Sequence, residues 1–321
     1  GQFMGLVAGF ALLIGLIIAM GLLAQIAGIY LSQLTSAISA PMLGFTTLAT
    51  LVTLNLFCVV LSEIGQYILF CTTVFPLIAT TLMCLTKLDI NNLFPFAPHG
   101  FSNVLKATRK IIFGFFGFEC AASLFAIVKN PERNVPRALV TSIIIVGTIY
   151  TFFVGAIILS TPLELFTDPS APISVTLRVL FPNNPWLIGM IHLSILSAII
   201  GTIHSMIWSS GSLLIALLKK IKSPVMHNLF DRGYITQRSA ILFVGFGIFL
   251  SFISLHNIDV FFNLTAIFIV FAYITSMITL LTIRSEWRRS YNLITLLGIG
   301  TGLLIFIFAF EGLVKALLSI Q

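Results

Sequence analysis

One acidic residue lies well inside an apolar run of this sequence, namely Glu119 in the stretch from Ile111 to Ser123. A charge at the centre of a bilayer costs about 2.5–3.5 kcal/mol even on the most lenient scale, so this carboxyl needs a partner, a water-filled cavity or a ligand. Its protonation could then accompany loading or release of a substrate. The alternative is a neutral glutamate that hydrogen-bonds a neighbouring helix.

Two glycines, Gly114 and Gly117, precede this acid among bulky phenylalanines. Glycine costs roughly 1 kcal/mol inside a helix and permits close backbone approach. Glycine for helix packing is one interpretation. Beside Glu119, however, the pair predicts a locally unwound segment, whose free N–H and C=O groups would hold the ionic groups of a substrate. We expect Phe116 and Phe118 to shape that pocket.

A stripe of polar and small residues lies within a later apolar run, at residues 186–217. Its members are three or four residues apart, which places them on one face of a helix. We predict that His204, Ser205 and Trp208 line a substrate path, or that His204 belongs to a proton relay. The alternative is that His204 only bonds another helix. The stripe comprises Ser194, Ser197, Gly201, His204, Ser205, Trp208 and Ser212, and a similar one in the first run comprises Gly21, Gln25, Gly28 and Ser32.

Composition places these residues in a membrane. Hydrophobic residues make up 58% of the 321 and charged residues 8%, whereas a soluble chain carries about 25% charged residues. Lipid must therefore cover most of the surface. The net charge of +7 forms no basic stripe with interleaved aromatics, so we expect headgroup contacts and no nucleic acid. The four cysteines match no zinc or redox spacing, and we predict neither a metal nor a cofactor.

Nine apolar runs are long enough to be membrane-spanning helices, each of which needs roughly 20 residues. The runs are continuous rather than alternating, and the bilayer favours helices because they satisfy their own hydrogen bonds. They are Met4–Leu34, Met42–Ser62, Ile68–Leu85, Ile111–Val128, Leu139–Ser160, Trp186–Leu217, Ala240–Leu255, Val260–Ile283 and Leu293–Leu317.

The basic residues predict the orientation of these helices. If the first helix runs outward from the cytoplasm, eleven of the 17 lysines and arginines lie on the cytoplasmic side, at 129–137, 219–238 and 284–289. The other six lie outside, so the positive-inside rule favours this orientation in a cell (inner) membrane. The stretch Phe101–Ile111 would be an interfacial helix whose lysine stems reach outward.

Two neighbouring stretches carry a family resemblance. Phe-Phe-Gly-Phe-Glu-Cys-Ala-Ala at 115–122 and Val-Lys-Asn-Pro-Glu-Arg-Asn-Val-Pro-Arg-Ala at 128–138 resemble the sixth transmembrane helix and following loop of the amino acid–polyamine–organocation superfamily. The closest resemblance is to its basic amino acid/polyamine antiporters, which have an aromatic-rich Gly-x-Glu-Ser segment and a Lys/Glu-Asn-Pro-x-Arg-Asn-Val-Pro loop. Lys129–Pro136 matches that loop, and Cys120 replaces the usual serine.

The resemblance implies an all-α membrane protein with a LeuT-like bundle of five-plus-five inverted repeats. One transporter domain would span 1–321, with the rest of the first repeat at 1–86, the second repeat at 111–283 and an additional helix at 293–317. The nine helices would be the third to the eleventh of twelve, and we expect the first, second and twelfth to be missing from a truncated chain. Glu119 then matches the acid that couples protonation to transport, and Phe113 matches a gating aromatic that is often tryptophan.

The leading hypothesis is a secondary active transporter that moves amino acids or polyamines by alternating access, through exchange or proton coupling. Phe113, Gly114, Phe116, Gly117 and Phe118 would bind the substrate. A truncated remnant without transport, an intramembrane enzyme and a channel are the alternatives. Membrane lipids are expected partners, and a homodimer is an open option. The sequence leaves open which amino acid or amine is moved.

Overall fold

The computed structural model describes residues 2–35, 37–57, 63–98, 100–125, 128–166, 173–255, 257–283 and 289–318. In these ranges the chain forms helices joined by turns, and no strand occurs. The helices are α1 (Gln2–Ser32), α2 (Ala40–Leu56), α3 (Glu63–Leu85), α4 (Phe101–Ile111), α5 (Pro131–Ser160), α6 (Ile173–Leu180), α7 (Pro185–Lys220), α8 (Pro224–Asp231), α9 (Gln237–Ser254), α10 (Ile258–Ile283) and α11 (Arg289–Leu318).

Seven of the described helices are long and apolar enough to cross a membrane, namely α1, α3, α5, α7, α9, α10 and α11. Helix α2 is apolar but shorter, with 17 residues, and the predicted end of this run at Ser62 lies outside the described residues. The protein is therefore an all-α, multi-pass membrane protein. The count of nine helices needs one correction, because the run Ile111–Val128 forms two 3₁₀ segments in its described part instead of an α-helix.

Helices α1 and α7 form the centre of the bundle. Half of the α1 span and 44% of the α7 span are buried, against 11% for α5 and 6% for α11. The central helices therefore contact other helices over much of their length, whereas α5 and α11 present their apolar side chains outward. In a bilayer those apolar side chains contact lipid, which offers no hydrogen-bond partners to polar groups.

Small residues let α1 approach its neighbours closely. A Cβ added at Gly28 would lie 2.1 Å from the Ala40 carbonyl oxygen of α2. The side chain of Gln25 donates hydrogen bonds to the carbonyls of Phe252 (3.2 Å) and Leu255 (2.7 Å) at the end of α9. The polar stripe of the first helix thus serves helix packing in the way that small residues do in membrane bundles.

Two ion pairs join the ends of three helices. Lys110 Nζ of α4 lies 2.7 Å from Asp259 Oδ1 of α10, and Lys106 Nζ lies 3.6 Å from Glu311 Oε1 of α11. The predicted topology places these three ends on one side of the membrane, and the ion pairs agree with that placement. Helix α4 occupies the stretch predicted as an interfacial helix.

The Asn-Pro loop motif builds the beginning of α5. Asn130 has a φ of 49°, in the left-handed region that asparagine tolerates better than most residues. Pro131 follows at the first helical position, where its fixed φ suits the helix and its missing N–H is not needed. The Asn134 amide donates to the Lys129 carbonyl at 2.5 Å. Helix α5 therefore begins eight residues before the predicted Leu139, because a helix can continue beyond its apolar run.

Candidate substrate site

The site is centred on a break in the chain between α4 and α5. A 3₁₀ segment, Ile112–Phe115, continues from α4 and ends at Phe116, which has extended backbone angles. Gly117 has a φ of 110°, and a second 3₁₀ segment runs from Phe118 to Leu124. A Cβ at Gly117 would meet no atom within 4 Å, so the requirement for glycine comes from the backbone angle and not from space. We call residues 112–124 the broken segment.

The carboxyl group of Glu119 folds back onto this break. Its Oε2 accepts hydrogen bonds from the Tyr273 hydroxyl of α10 at 2.9 Å and from the Gly117 N–H at 3.0 Å. Its Oε1 is buried and has no hydrogen-bond partner in the described part of the chain. Because an ionised carboxylate can accept about four hydrogen bonds, Oε1 can still take a proton or a donor from a substrate.

Aromatic rings surround the break. Phe113 packs edge-on against Phe262 of α10 at 4.8 Å between ring centroids and against Phe116 at 6.0 Å. The Tyr273 ring lies 6.4 Å from Phe116 and 5.8 Å from Phe118. Such tilted and edge-to-face contacts are favourable geometries for aromatic pairs. They connect the hydroxyl that binds Glu119 to the phenylalanines of the broken segment.

A cavity of about 170 Å³ lies between the broken segment, α1, α5 and α7. Phe113, Gly114 and Phe116 of the broken segment line it, together with Tyr150 of α5 and Thr202 of α7. Gly117, Phe118 and Glu119 do not line this cavity but follow it directly in the chain. Larger cavities lie elsewhere, but one of about 650 Å³ is lined by apolar residues alone, whereas a substrate site needs placed polar groups.

The structure places His204 away from this cavity. The imidazole is buried, and its Nδ1 lies 3.0 Å from Nδ2 of Asn55 in α2. The same Asn55 amide donates to the Leu51 carbonyl of its own helix at 2.9 Å. His204 thus takes the position that the alternative interpretation describes, bonded to a neighbouring helix.

Neither of the other predicted path residues on α7 lines the cavity. Ser205 is exposed and bonds a carbonyl of its own helix, and the Trp208 carbonyl accepts a hydrogen bond from a side chain of α9. Four α7 residues line the cavity, namely Ala198, Ile199, Thr202 and Met206. Ser209 also faces the broken segment, since its hydroxyl hydrogen-bonds the Cys120 thiol. The contact face of α7 is therefore turned from the predicted stripe.

Two tyrosines of the site were not among the predicted residues. Tyr273 binds Glu119, and the Tyr150 ring lies 5.7 Å from Phe115 while also lining the cavity. Each is the single tyrosine of a long apolar helix. A buried tyrosine hydroxyl usually finds a partner, and this requirement is the one sequence signal that could have suggested them.

Comparison with known proteins identifies the family. Residues 1–318 match the family of amino acid permeases. The chain belongs to this family. The superfamily resemblance carried by the Glu119 region and the Asn-Pro loop is thereby confirmed. The family consists of transporters, so the alternative of an intramembrane enzyme is set aside.

Curated relatives of this permease are named for different amino acids. Over 90 residues it is 32% identical to cationic amino acid transporter 1 of Arabidopsis thaliana, covering 28% of this chain and 15% of the relative. Over 220 residues it is 24% identical to the glutamate/serine transporter AimA of Bacillus subtilis (63% and 39%). Over 101 residues it is 28% identical to the branched-chain amino acid permease BcaP of the same species (32% and 21%). The chain thus spans less than two fifths of the length of each of these relatives.

Proposed function

We propose that this permease moves amino acids, or amines derived from them, across the cell membrane by alternating access. The broken segment forms part of its substrate site, and Glu119 couples protonation to transport. The observation that carries the proposal is the Glu119 carboxyl, which has one oxygen held by Tyr273 and Gly117 and the other buried without a partner. A carboxyl group in this arrangement inside a membrane is energetically unfavourable unless it binds a proton or a substrate.

Cationic substrates suit the site best. Phe113 and Phe116 present aromatic rings to the cavity, and an ammonium or guanidinium group stacks favourably over such a ring. Glu119 adds a carboxyl group next to them, which attracts a cation and repels an acidic side chain. The Phe116 N–H and both backbone groups of Gly117 already form hydrogen bonds. A carbonyl oxygen has two lone pairs, so the carbonyls at this break can still accept a hydrogen bond from the amino group that all amino acids share.

Glu119 can couple its own protonation to the binding of a cationic substrate through the oxygen Oε1. A proton on Oε1 leaves both hydrogen bonds to Oε2 in place, so the broken segment keeps its shape while the site loses a negative charge. A cation then binds less tightly, which favours its release. Loss of the proton restores the attraction. Exchange of a cationic substrate for a proton or for a second cation follows from this competition.

The test is uptake by the full-length protein reconstituted in liposomes. We expect uptake of labelled arginine to exceed that of leucine and glutamate, and to depend on pH. Glu119→Gln keeps the size of the side chain but removes the titration, so uptake should become independent of pH. The control is Glu132→Gln, an exposed acid in the first turn of α5, which should keep the pH profile of the unmodified protein.

Two results would contradict the proposal. An unchanged pH profile in Glu119→Gln removes this carboxyl from coupling. A folded, unmodified protein that takes up none of the three amino acids supports the alternative of a remnant without transport.

A further inference from the structure

An apolar groove lies on the bundle surface between α1, α10 and α11. It encloses about 650 Å³, and its eleven lining residues are all apolar. Phenylalanines form much of its wall: Phe3 and Phe10 from α1, Phe268 and Phe271 from α10, and Phe306 from α11. All three helices are membrane-spanning, so this groove opens at the depth of the acyl chains.

A second cavity adjoins the groove where α7 ends. It encloses about 670 Å³ and contains three lysines, Lys219, Lys220 and Lys222. Leu6 lines both cavities, so they adjoin each other. We call the two cavities together the surface depression, which has a cationic end at the lysines and an apolar end at the phenylalanines.

The packing of α1 against α7 explains why this space exists. A Cβ at Gly9 would lie 2.3 Å from Leu217 Cδ2, whereas one at Gly5 would meet no atom within 4 Å. The two helices are thus in close contact at Gly9 and are separated at Gly5, one turn nearer the start of α1. At the start of α1, the Gln2 side-chain amide donates a hydrogen bond to the Lys220 carbonyl at 2.8 Å. This bond holds the end of α7 through its backbone and does not involve the Lys220 side chain.

The three lysines are placed to bind an anion. All three are exposed, and in the part of the chain that the structure describes none of them forms an ion pair. Lys219 Nζ lies 5.8 Å from the centroid of the Phe230 ring. The acid of the neighbouring helix α8, Asp231, lies 3.3 Å from His227 instead. A cluster of this kind next to a membrane-spanning helix attracts anionic lipid.

We propose that this depression binds one anionic glycerophospholipid, with its phosphate at Lys219, Lys220 and Lys222 and an acyl chain in the groove. The bilayer leaflet is the one that the basic residues assign to the cytoplasm. A phospholipid matches both ends of the space at once. A second copy of the chain, or a helix packed on the apolar walls, would cover the phenylalanines but provide no counter-charge for three ammonium groups.

The test measures thermal unfolding of the full-length protein in neutral detergent with added lipid. Phosphatidylglycerol should raise the midpoint by about 3 °C or more above phosphatidylcholine with the same acyl chains, as a ligand that binds only the folded state does. The triple variant K219Q/K220Q/K222Q should lose this difference. The triple variant K129Q/R133Q/R137Q removes the same charge from exposed residues around the start of α5 and should keep it.

Two further measurements separate the lipid from other occupants. Glycerol phosphate, which carries the head charge without acyl chains, should leave the midpoint unchanged, and a full shift would mean a free-anion site. Ile14→Trp, which fills the apolar groove, should reduce the phosphatidylglycerol effect while leaving the lysines intact. Equal shifts for both lipids, an unchanged effect in K219Q/K220Q/K222Q, or a stable dimer whose formation excludes the lipid would overturn the proposal.

Discussion

Two stretches of this permease hold a titratable side chain inside the bundle, and their backbones differ. Glu119 lies in the broken segment, where Gly117 has a φ of 110° and one carboxyl oxygen is left without a partner. His204 lies within α7, an uninterrupted helix of 36 residues, where its ring bonds Asn55 and is buried. The broken segment lines a cavity at Phe113, Gly114 and Phe116, whereas His204 does not.

The comparison of His204 with Glu119 indicates how the backbone around a buried polar side chain affects the partners that this side chain can bind. His204 lies in the middle of α7, where a regular helix pairs its backbone groups internally, and its imidazole has a hydrogen-bond neighbour in Asn55. In the broken segment, the Gly117 N–H binds the Glu119 carboxyl instead of a helix carbonyl, and a cavity lies beside Phe113, Gly114 and Phe116. We therefore expect Glu119 to take part in transport and His204 to stabilise the packing of α7 against α2.

We expect the largest effect on stability and uptake from replacing Gly117, and a much smaller effect from replacing Gly114. Gly117→Ala forces a side chain into a positive φ, which costs about 1–3 kcal/mol and displaces the N–H that binds Glu119. We expect a lower unfolding midpoint and uptake reduced about tenfold or more. Gly114→Ala is the matched control, because its Cβ would lie 3.5 Å from the Tyr150 ring, an ordinary contact. Equal effects of the two variants would contradict a special role for the Gly117 backbone.

The next effect tests whether His204 is structural. Asn55→Ala leaves the buried imidazole without its partner, which should lower the free energy of unfolding by about 1–3 kcal/mol. The pH profile of uptake should keep its shape. Replacing both Asn55 and His204 by leucine removes both polar groups and should recover much of the loss. A shifted pH profile in Asn55→Ala would instead place His204 on the proton path.

The smallest effect concerns which face of α7 contacts the substrate. Thr202 lines the cavity and Ser205 is exposed on another face. Thr202→Val removes one hydroxyl at constant size, so KM should rise about three- to tenfold, as expected for one lost hydrogen bond. Ser205→Ala should leave KM and kcat unchanged. The opposite ranking would restore the predicted stripe as the path.

Apolar runs were sufficient to predict most of the spanning helices. The run Val260–Ile283 differs from α10 by two residues at its start, and Trp186–Leu217 lies within α7. Glu119 and the two glycines also predict the broken segment, because an acid and two poor helix formers coincide there. Helices α6 and α8 were not predicted, since eight-residue helices with charged positions give no spanning signal.

The rest of the site depends on contacts between distant parts of the chain. Tyr273 lies 154 residues from Glu119, and a single tyrosine in an apolar helix gives no spacing to interpret. Periodicity places Ser205 and His204 close to one face of α7, but α7 contacts α1, α2, α3, α9 and the broken segment on different sides. Which side faces the cavity follows only from the packing of all of them.

The two links between α10 and the chain around the break have a mechanical consequence. Asp259 and Tyr273 are fourteen residues apart on α10, about 21 Å, and they hold Lys110 and Glu119, which are only nine residues apart. Nine α-helical residues advance about 13.5 Å, so this stretch is extended to reach both. Rewinding it into a regular helix would shorten it, so the linking side chains would have to reach farther or one of the two links would break.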